Sequence, residues 1–152
     1  MILVTHGRLA LELRAALEHV VGPQAQLMTL CIGPEDGIDV RCGDMREAVA
    51  DVDSGDGVVV LTDMLGGTPS NLACSVLDRR DVEVIAGVNL PLLVKVAKLR
   101  GSVPLADLVD QAVAAGRKYM TSARISKAEG APKPEAAALP ATATALLHRG
   151  AA

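Results

Sequence analysis

Two polar stretches, each placed directly after a short apolar run, hold the residue types from which a nucleophilic site is made. The first is Thr5-His6-Gly7, after Met1-Ile2-Leu3-Val4; the second is Thr62-Asp63-Met64-Leu65-Gly66-Gly67-Thr68-Pro69-Ser70-Asn71, after Gly57-Val58-Val59-Val60-Leu61. A neutral imidazole can attack phosphorus, and its free nitrogen is the better nucleophile when the other ring N–H donates to a carboxylate that fixes the tautomer. With His6 as nucleophile and Asp63 as orienter, phosphorylation is expected on the nitrogen facing away from Asp63, Nε2. Gly66 and Gly67 let the backbone turn sharply and approach an oxyanion, while Thr68 and the first helical turn beyond it offer N–H groups, a hydroxyl and the positive end of a helix dipole. Thr5, Arg8 and Asn71 are candidates for support, Arg8 by steering an anionic donor and Asn71 by bracing the loop. Plainer roles stand beside these at this point: a histidine closing a strand, an aspartate bonding loop backbone, an ordinary glycine turn with its N-cap, a solvated arginine.

Phosphoryl transfer asks little covalent chemistry of a protein and much positioning, so a histidine, an orienting carboxylate and a cradle of N–H groups suffice, with neither metal nor cofactor. Other chemistries fail on residue type. The glycine pair lacks a P-loop lysine, the first strand is not followed by Gly-x-Gly-x-x-Gly, and there is no Gly-x-Ser-x-Gly elbow. His6, His19 and His148, with Cys31, Cys42 and Cys74, show no metal-ligand spacing, and His19 falls within a helical pattern as a surface histidine. The cysteines are odd in number and widely spaced, which argues against a disulfide framework and a zinc ribbon; buried small-hydrophobe roles are expected for all of them.

Residues on separate loops meet only if the fold brings those loops together. Residues 1–4, 26–32, 57–61 and 82–87 read as strands, the first and third continuously apolar as in strands covered on both faces. Between them, residues 9–21 place Leu9, Leu13, Ala16, Leu17 and Val20 on one helical stripe stopped by Gly22-Pro23, and residues 38–52 keep the period through Met45, Ala48, Val49 and Val52 despite Gly43. A third helix is expected from Thr68-Pro69 through Leu72, Ala73, Val76 and Leu77, a fourth over 91–99, and a fifth over 105–120; residues 121–126 suit a short edge strand. The order β-α-β-α-β-α-β-α-α implies an α/β fold, an open and mainly parallel sheet of four strands with helices on both faces and right-handed crossovers. Ligands of such sheets sit outside the carboxyl ends of the strands, so if the first and third strands are neighbours, His6 and Asp63 emerge side by side.

The chain has 152 residues, half of them apolar, with no Phe, no Trp and only Tyr119 among the aromatics, so its core must be aliphatic. Fifteen basic against eighteen acidic residues and the absence of a basic stripe exclude a nucleic-acid backbone as partner. The start of the sequence lacks a signal-peptide pattern and no apolar run is long enough to span a bilayer, so a cytoplasmic location is expected, with at most peripheral association with a membrane permease. From Lys127 the composition turns to Ala and Pro without an apolar period, which divides the chain into a domain over 1–126 and a tail over 127–152 expected to be disordered; Leu146-Leu147-His148-Arg149 is its one short amphipathic candidate.

At these residues the sequence resembles the IIA components of the mannose (mannose-fructose-sorbose) class of the bacterial phosphoenolpyruvate-dependent sugar phosphotransferase system. Thr5-His6-Gly7 is similar to the family's phosphorylation loop and the stretch from Thr62 to Asn71 to its signature loop; a third match is Val84-Ile85-Ala86-Gly87-Val88-Asn89-Leu90-Pro91-Leu92-Leu93. The likeness spans residues 1–126. It implies phosphorylation of His6 by the histidine-containing phosphocarrier protein HPr, onward transfer to a IIB partner, and a homodimer in which a C-terminal edge strand, here residues 121–126, pairs antiparallel across the interface. Many relatives carry a IIB domain after an Ala/Pro linker; this chain ends within the corresponding stretch, and Met64-Leu65 replaces the aromatic residue common after the aspartate. Stand-alone proteins of this kind also act as regulatory modules, in which the phosphorylation state controls binding to other proteins.

Overall fold

A right-handed crossover from one parallel strand to its neighbour places its helix on the face set by the direction of travel, so a chain that moves both ways along a sheet must clothe both faces. The computed structural model, which describes residues 1–122, does this. Its elements are β1 (Ile2–His6), α1 (Leu9–Val21), β2 (Met28–Ile32), α2 (Ile38–Val52), β3 (Val58–Thr62), α3 (Thr68–Cys74), β4 (Val82–Ala86), α4 (Leu90–Leu99) and α5 (Leu105–Lys118). The four strands are all parallel in the order β2-β1-β3-β4. The chain travels from β1 outward to β2 through α1, then back past β1 to β3 and on to β4 through α2 and α3.

Side-chain alternation along the strands separates two aliphatic layers. Leu3, Val59, Leu61 and Ile85 point to the face covered by α1, α4 and α5, where they meet Ala10, Leu17, Leu92, Leu93, Val96, Leu108 and Ala112. Ile2, Val4, Val58, Val60 and Val82 point to the other face, against Met45, Ala48, Val49 and Val52 of α2 and Leu72 and Ala73 of α3. β1 and β3 are therefore buried almost throughout, as their unbroken apolar runs require. Among the described residues no helix is long and apolar enough to cross a membrane.

The expected element order and sheet are found, with corrections at the margins. α3 ends at Cys74 instead of continuing to Leu77: Ser75, Val76 and Leu77 bond to carbonyls three residues back, the Ser75 hydroxyl also donates to the Leu72 carbonyl at 2.7 Å, and the tightened turn leaves Leu77 exposed. α5 ends at Lys118, two residues short, and Tyr119 and Met120 stand exposed. On α1 the expected Leu13 and Leu17 do face the core, joined by Ala10 and Val21, with Ala10 and Leu17 buried and Leu13 and Val21 half-buried; Leu9 and Val20 of the expected stripe face solvent instead. None of the three cysteines is buried: Cys31 and Cys42 are half-buried and Cys74 is exposed. Thr121 and Ser122 carry no strand, and the remainder of the expected edge strand, the tail and the segment at Leu146 lie outside the described residues.

At the amino end of the sheet, Arg79 ties the end of α2 to the start of β4. Its Nη2 donates at 2.6 Å to both Asp53 and Asp81, and its Nε reaches Asp81 at 3.1 Å. The hydrogen bond from Arg79 holds Asp81 down at about 2. A carboxylate depressed in the folded state stabilises the fold above its unfolded value of about 3.9, and that contribution fades as pH falls through the folded one. Asp81→Asn is accordingly expected to lower the melting temperature near neutral pH, with the deficit shrinking below about pH 4 and disappearing as pH falls through about 2. Circular-dichroism melts across that range test it; a deficit unchanged with pH would show that the pair contributes nothing electrostatic.

Candidate active site

β1 and β3 are hydrogen-bonded neighbours in the register Ile2↔Val60, Leu3↔Leu61 and Val4↔Thr62, and this brings the loops that follow them together. The chain leaves β1 for one face of the sheet and β3 for the other, so a crevice opens between the two carboxyl ends. His6 and Asp63 stand in it. Nδ1 of His6 lies 2.9 Å from Oδ2 of Asp63, and the same oxygen accepts the backbone N–H of His6 at 3.0 Å. Oδ1 accepts the Met64 N–H at 3.0 Å and the Thr62 hydroxyl at 3.3 Å. Burial pushes the Asp63 carboxyl up, but the N–H and ring of His6 and the N–H of Met64 outweigh it and hold the group below the usual carboxylate range. Asp63 thus stays ionised and acceptor-only, so the His6 proton belongs on Nδ1 and the lone pair on Nε2.

The Nε2 edge is turned toward Gly67. A Cβ built on that glycine would lie 2.7 Å from Cε1 and 3.1 Å from Nε2 of His6, so a residue without a side chain is what lets the imidazole lie against the start of α3. Gly66 is needed for a different reason, its φ of +86°. Gly67 is the N-cap of α3, so Pro69 stands in the first turn at the second helical position and not at the first, where it was expected. Among the described residues no acceptor meets the N–H groups of Gly67, Thr68 and Ser70, which stand at the helix start as free donors.

The other expected residues divide. The Gly66 N–H donates to the Ser70 hydroxyl at 3.3 Å, so Gly66 shapes the loop and does not present its own donor to the crevice. Thr5 is buried, with its hydroxyl directed to the His6 carbonyl at 3.4 Å, and supports the strand end. Arg8 is exposed; its carbonyl accepts the N–H groups of Leu11 and Glu12 in α1, and its guanidinium has no partner among the described residues. Asn71 is exposed and bonds through its backbone to Gly67, so its side chain does not brace the loop. His19 is on the surface of α1 and takes no part. Two contributors escaped the sequence reading, the Thr62 hydroxyl and Ser70. Each is a buried hydroxyl bordering the loop, one residue before the acid and three after the helix N-cap, and that position was the available signal. Among the described residues no group of three or more potential metal ligands converges.

Residues 1–113 match the family described as EIIA-man, PTS system fructose IIA component. The chain belongs to this family. The mannose-specific EIIAB component of the phosphotransferase system of Escherichia coli K12 is 34% identical over 95% of this chain and 46% of that protein. The fructose-specific EIIA component of Bacillus subtilis 168 is 30% identical over 72% of this chain and 76% of that one. The chain therefore spans about half the length of the EIIAB relatives it matches. Among solved structures, the mannose/sorbose-specific IIA subunit of Enterococcus faecalis superposes with a TM-score of 0.70 at 27% identity, over 80% of this chain and 91% of the other. The family match covers both loops of the crevice.

The two glycines are expected to respond differently to the same change. Gly66→Ala places a Cβ at positive φ and costs about 1–2 kcal/mol of stability, measurable by urea unfolding. Gly67→Ala leaves stability nearly unchanged but displaces the His6 ring, seen in the Cε1–H cross-peak of His6 in NMR spectra; a peak that does not move would refute the contact.

Proposed function

We propose that this chain is a histidine phosphocarrier of the phosphoenolpyruvate-dependent sugar phosphotransferase system, accepting a phosphoryl group on Nε2 of His6 and passing it on. The observation that carries this reading is the bond of 2.9 Å between Nδ1 of His6 and Asp63 combined with an Nε2 edge turned to the free N–H groups at the start of α3. The Nε2 lone pair attacks phosphorus, the new N–P bond forms as the donor's N–P bond breaks, and the donor nitrogen keeps that bond's electron pair. In this reading Asp63 supports the imidazolium-like ring of the product, and the Gly67 and Thr68 N–H groups take the phosphoryl oxygens. HPr is the donor here and a IIB protein the recipient, partners that family membership supports. A homodimer is part of it as well: β4 is an edge of the sheet among the described residues and offers a place for a strand from a second copy.

A second reading is favoured by Met64 and Leu65, which are 56% and 75% exposed directly beside Asp63. Phosphorylation would set a charge of about −2 against this apolar pair, and a partner docking there would sense the state of His6. In that reading the same chemistry ends in regulation by contact.

Incubation with phosphoenolpyruvate, enzyme I and HPr is expected to add one acid-labile phosphate per chain. His6→Ala should abolish the labelling, and Asp63→Asn should slow it by about 10²-fold or more, the loss seen when an orienting or stabilising group is removed. Full labelling of His6→Ala would overturn the reading.

A further inference from the structure

The Asp63 carboxylate has four donors, and only three of them are explained by the loop and the histidine it orients. Two come from His6, one is the Met64 N–H, and the fourth is the hydroxyl of Thr62. Thr62 ends β3 and is wholly buried, so water does not reach its hydroxyl. Facing an ionised carboxylate, that hydroxyl has to donate. Its backbone is equally fixed, because the Thr62 carbonyl accepts the N–H groups of Gly87 and Val88, each at 3.0 Å, from the turn after β4. The hydroxyl therefore sits on a rigid strand end, between the sheet and the one oxygen of Asp63 that does not touch His6.

We infer that Thr62 is a positioning residue for phosphoryl transfer: its hydroxyl clamps Oδ1 of Asp63, and so fixes how Oδ2 is presented to His6. This rests on the reading of His6 as the phosphoryl acceptor. A carboxylate's terminal torsion is soft and broadly two-fold, and without the Thr62 hydroxyl Oδ1 would be held only by the Met64 N–H of its own loop, with no tie to the strand end. Bonds to both oxygens pin it in the plane that Nδ1 of His6 meets. The hydroxyl also draws charge toward Oδ1, which tempers the attraction between Oδ2 and the imidazolium-like ring of phosphohistidine. Without it, Asp63 would hold the phosphorylated ring more tightly and in a less defined direction, slowing uptake and lengthening the life of the phosphohistidine.

The full-length protein carrying Thr62→Val, which keeps the side chain's shape within an apolar strand, provides the test, with Thr62→Ser as the variant that retains the hydroxyl and loses the methyl. Thr62→Val is expected to take phosphate from HPr about 3- to 10-fold more slowly than wild type, in the range for one hydrogen bond to an orienting group. It should also shift the Nδ1 nitrogen resonance of the His6 ring, while Thr62→Ser restores both rate and resonance. The inference is overturned if Thr62→Val keeps the wild-type rate and resonance, or if Thr62→Ser falls with it, which would assign the effect to packing of the methyl. Should wild type itself take no phosphate, the phosphocarrier reading fails, and the ring resonances of the three proteins still decide whether Thr62 acts on His6 through Asp63.

Discussion

β1 pairs with β3 over Ile2 to Val4, and because the chain leaves these neighbours for opposite faces of the sheet, their carboxyl ends cannot be roofed by either connection. The crevice is a consequence of that pairing, and so is the meeting of two loops more than fifty residues apart in sequence. The rest of the molecule keeps the two strands adjacent and still. Two aliphatic layers press on them from either side, and Arg79 fastens the far end of the sheet, where α2 and β4 meet. With no aromatic side chain in either layer, that rigidity comes from branched aliphatic residues packed along short strands, a core in which shape is set by many small contacts.

Asp63 concentrates the polar side of the same design. Among the described residues its carboxylate is the only group at the crevice that bonds both loops, taking the backbone and ring of His6 on one oxygen and its own loop and strand end on the other. A charge so placed is held below its usual pKa by the donors around it, despite burial. The glycine pair that follows divides its work between conformation at Gly66 and clearance at Gly67, and the helix start it leads to faces the free edge of His6.

Most of this was legible in the sequence because it depends on pattern. Unbroken apolar runs marked β1 and β3 as doubly covered, Gly22-Pro23 stopped α1, and Pro69 announced the start of α3. The pairing of His6 with Asp63 followed from topology once the strands were ordered. What escaped depends on side-chain direction. Periodicity does not say which carbonyl or hydroxyl takes a given donor, so Gly66 was read as part of a cradle when its N–H belongs to Ser70, and the Thr62 hydroxyl passed as one more strand residue. On α1 the centre of the expected stripe, Leu13 and Leu17, meets the core, while its margins at Leu9 and Val20 lie in solvent. The cysteines, small and apolar by type, turned out to sit on half-covered or open ground.

The His6 side chain is 48% exposed, against 15% for Asp63. No described residue roofs it, so a phosphoryl group carried on it would meet water, and water hydrolyses phosphoramidates. Its residence would then be a race between hydrolysis and the arrival of the next protein surface. A carrier of that kind works as a clock as well as a relay: the fraction loaded at any moment reports how quickly donors arrive relative to how quickly acceptors do, which is information about supply and demand in the surrounding solution.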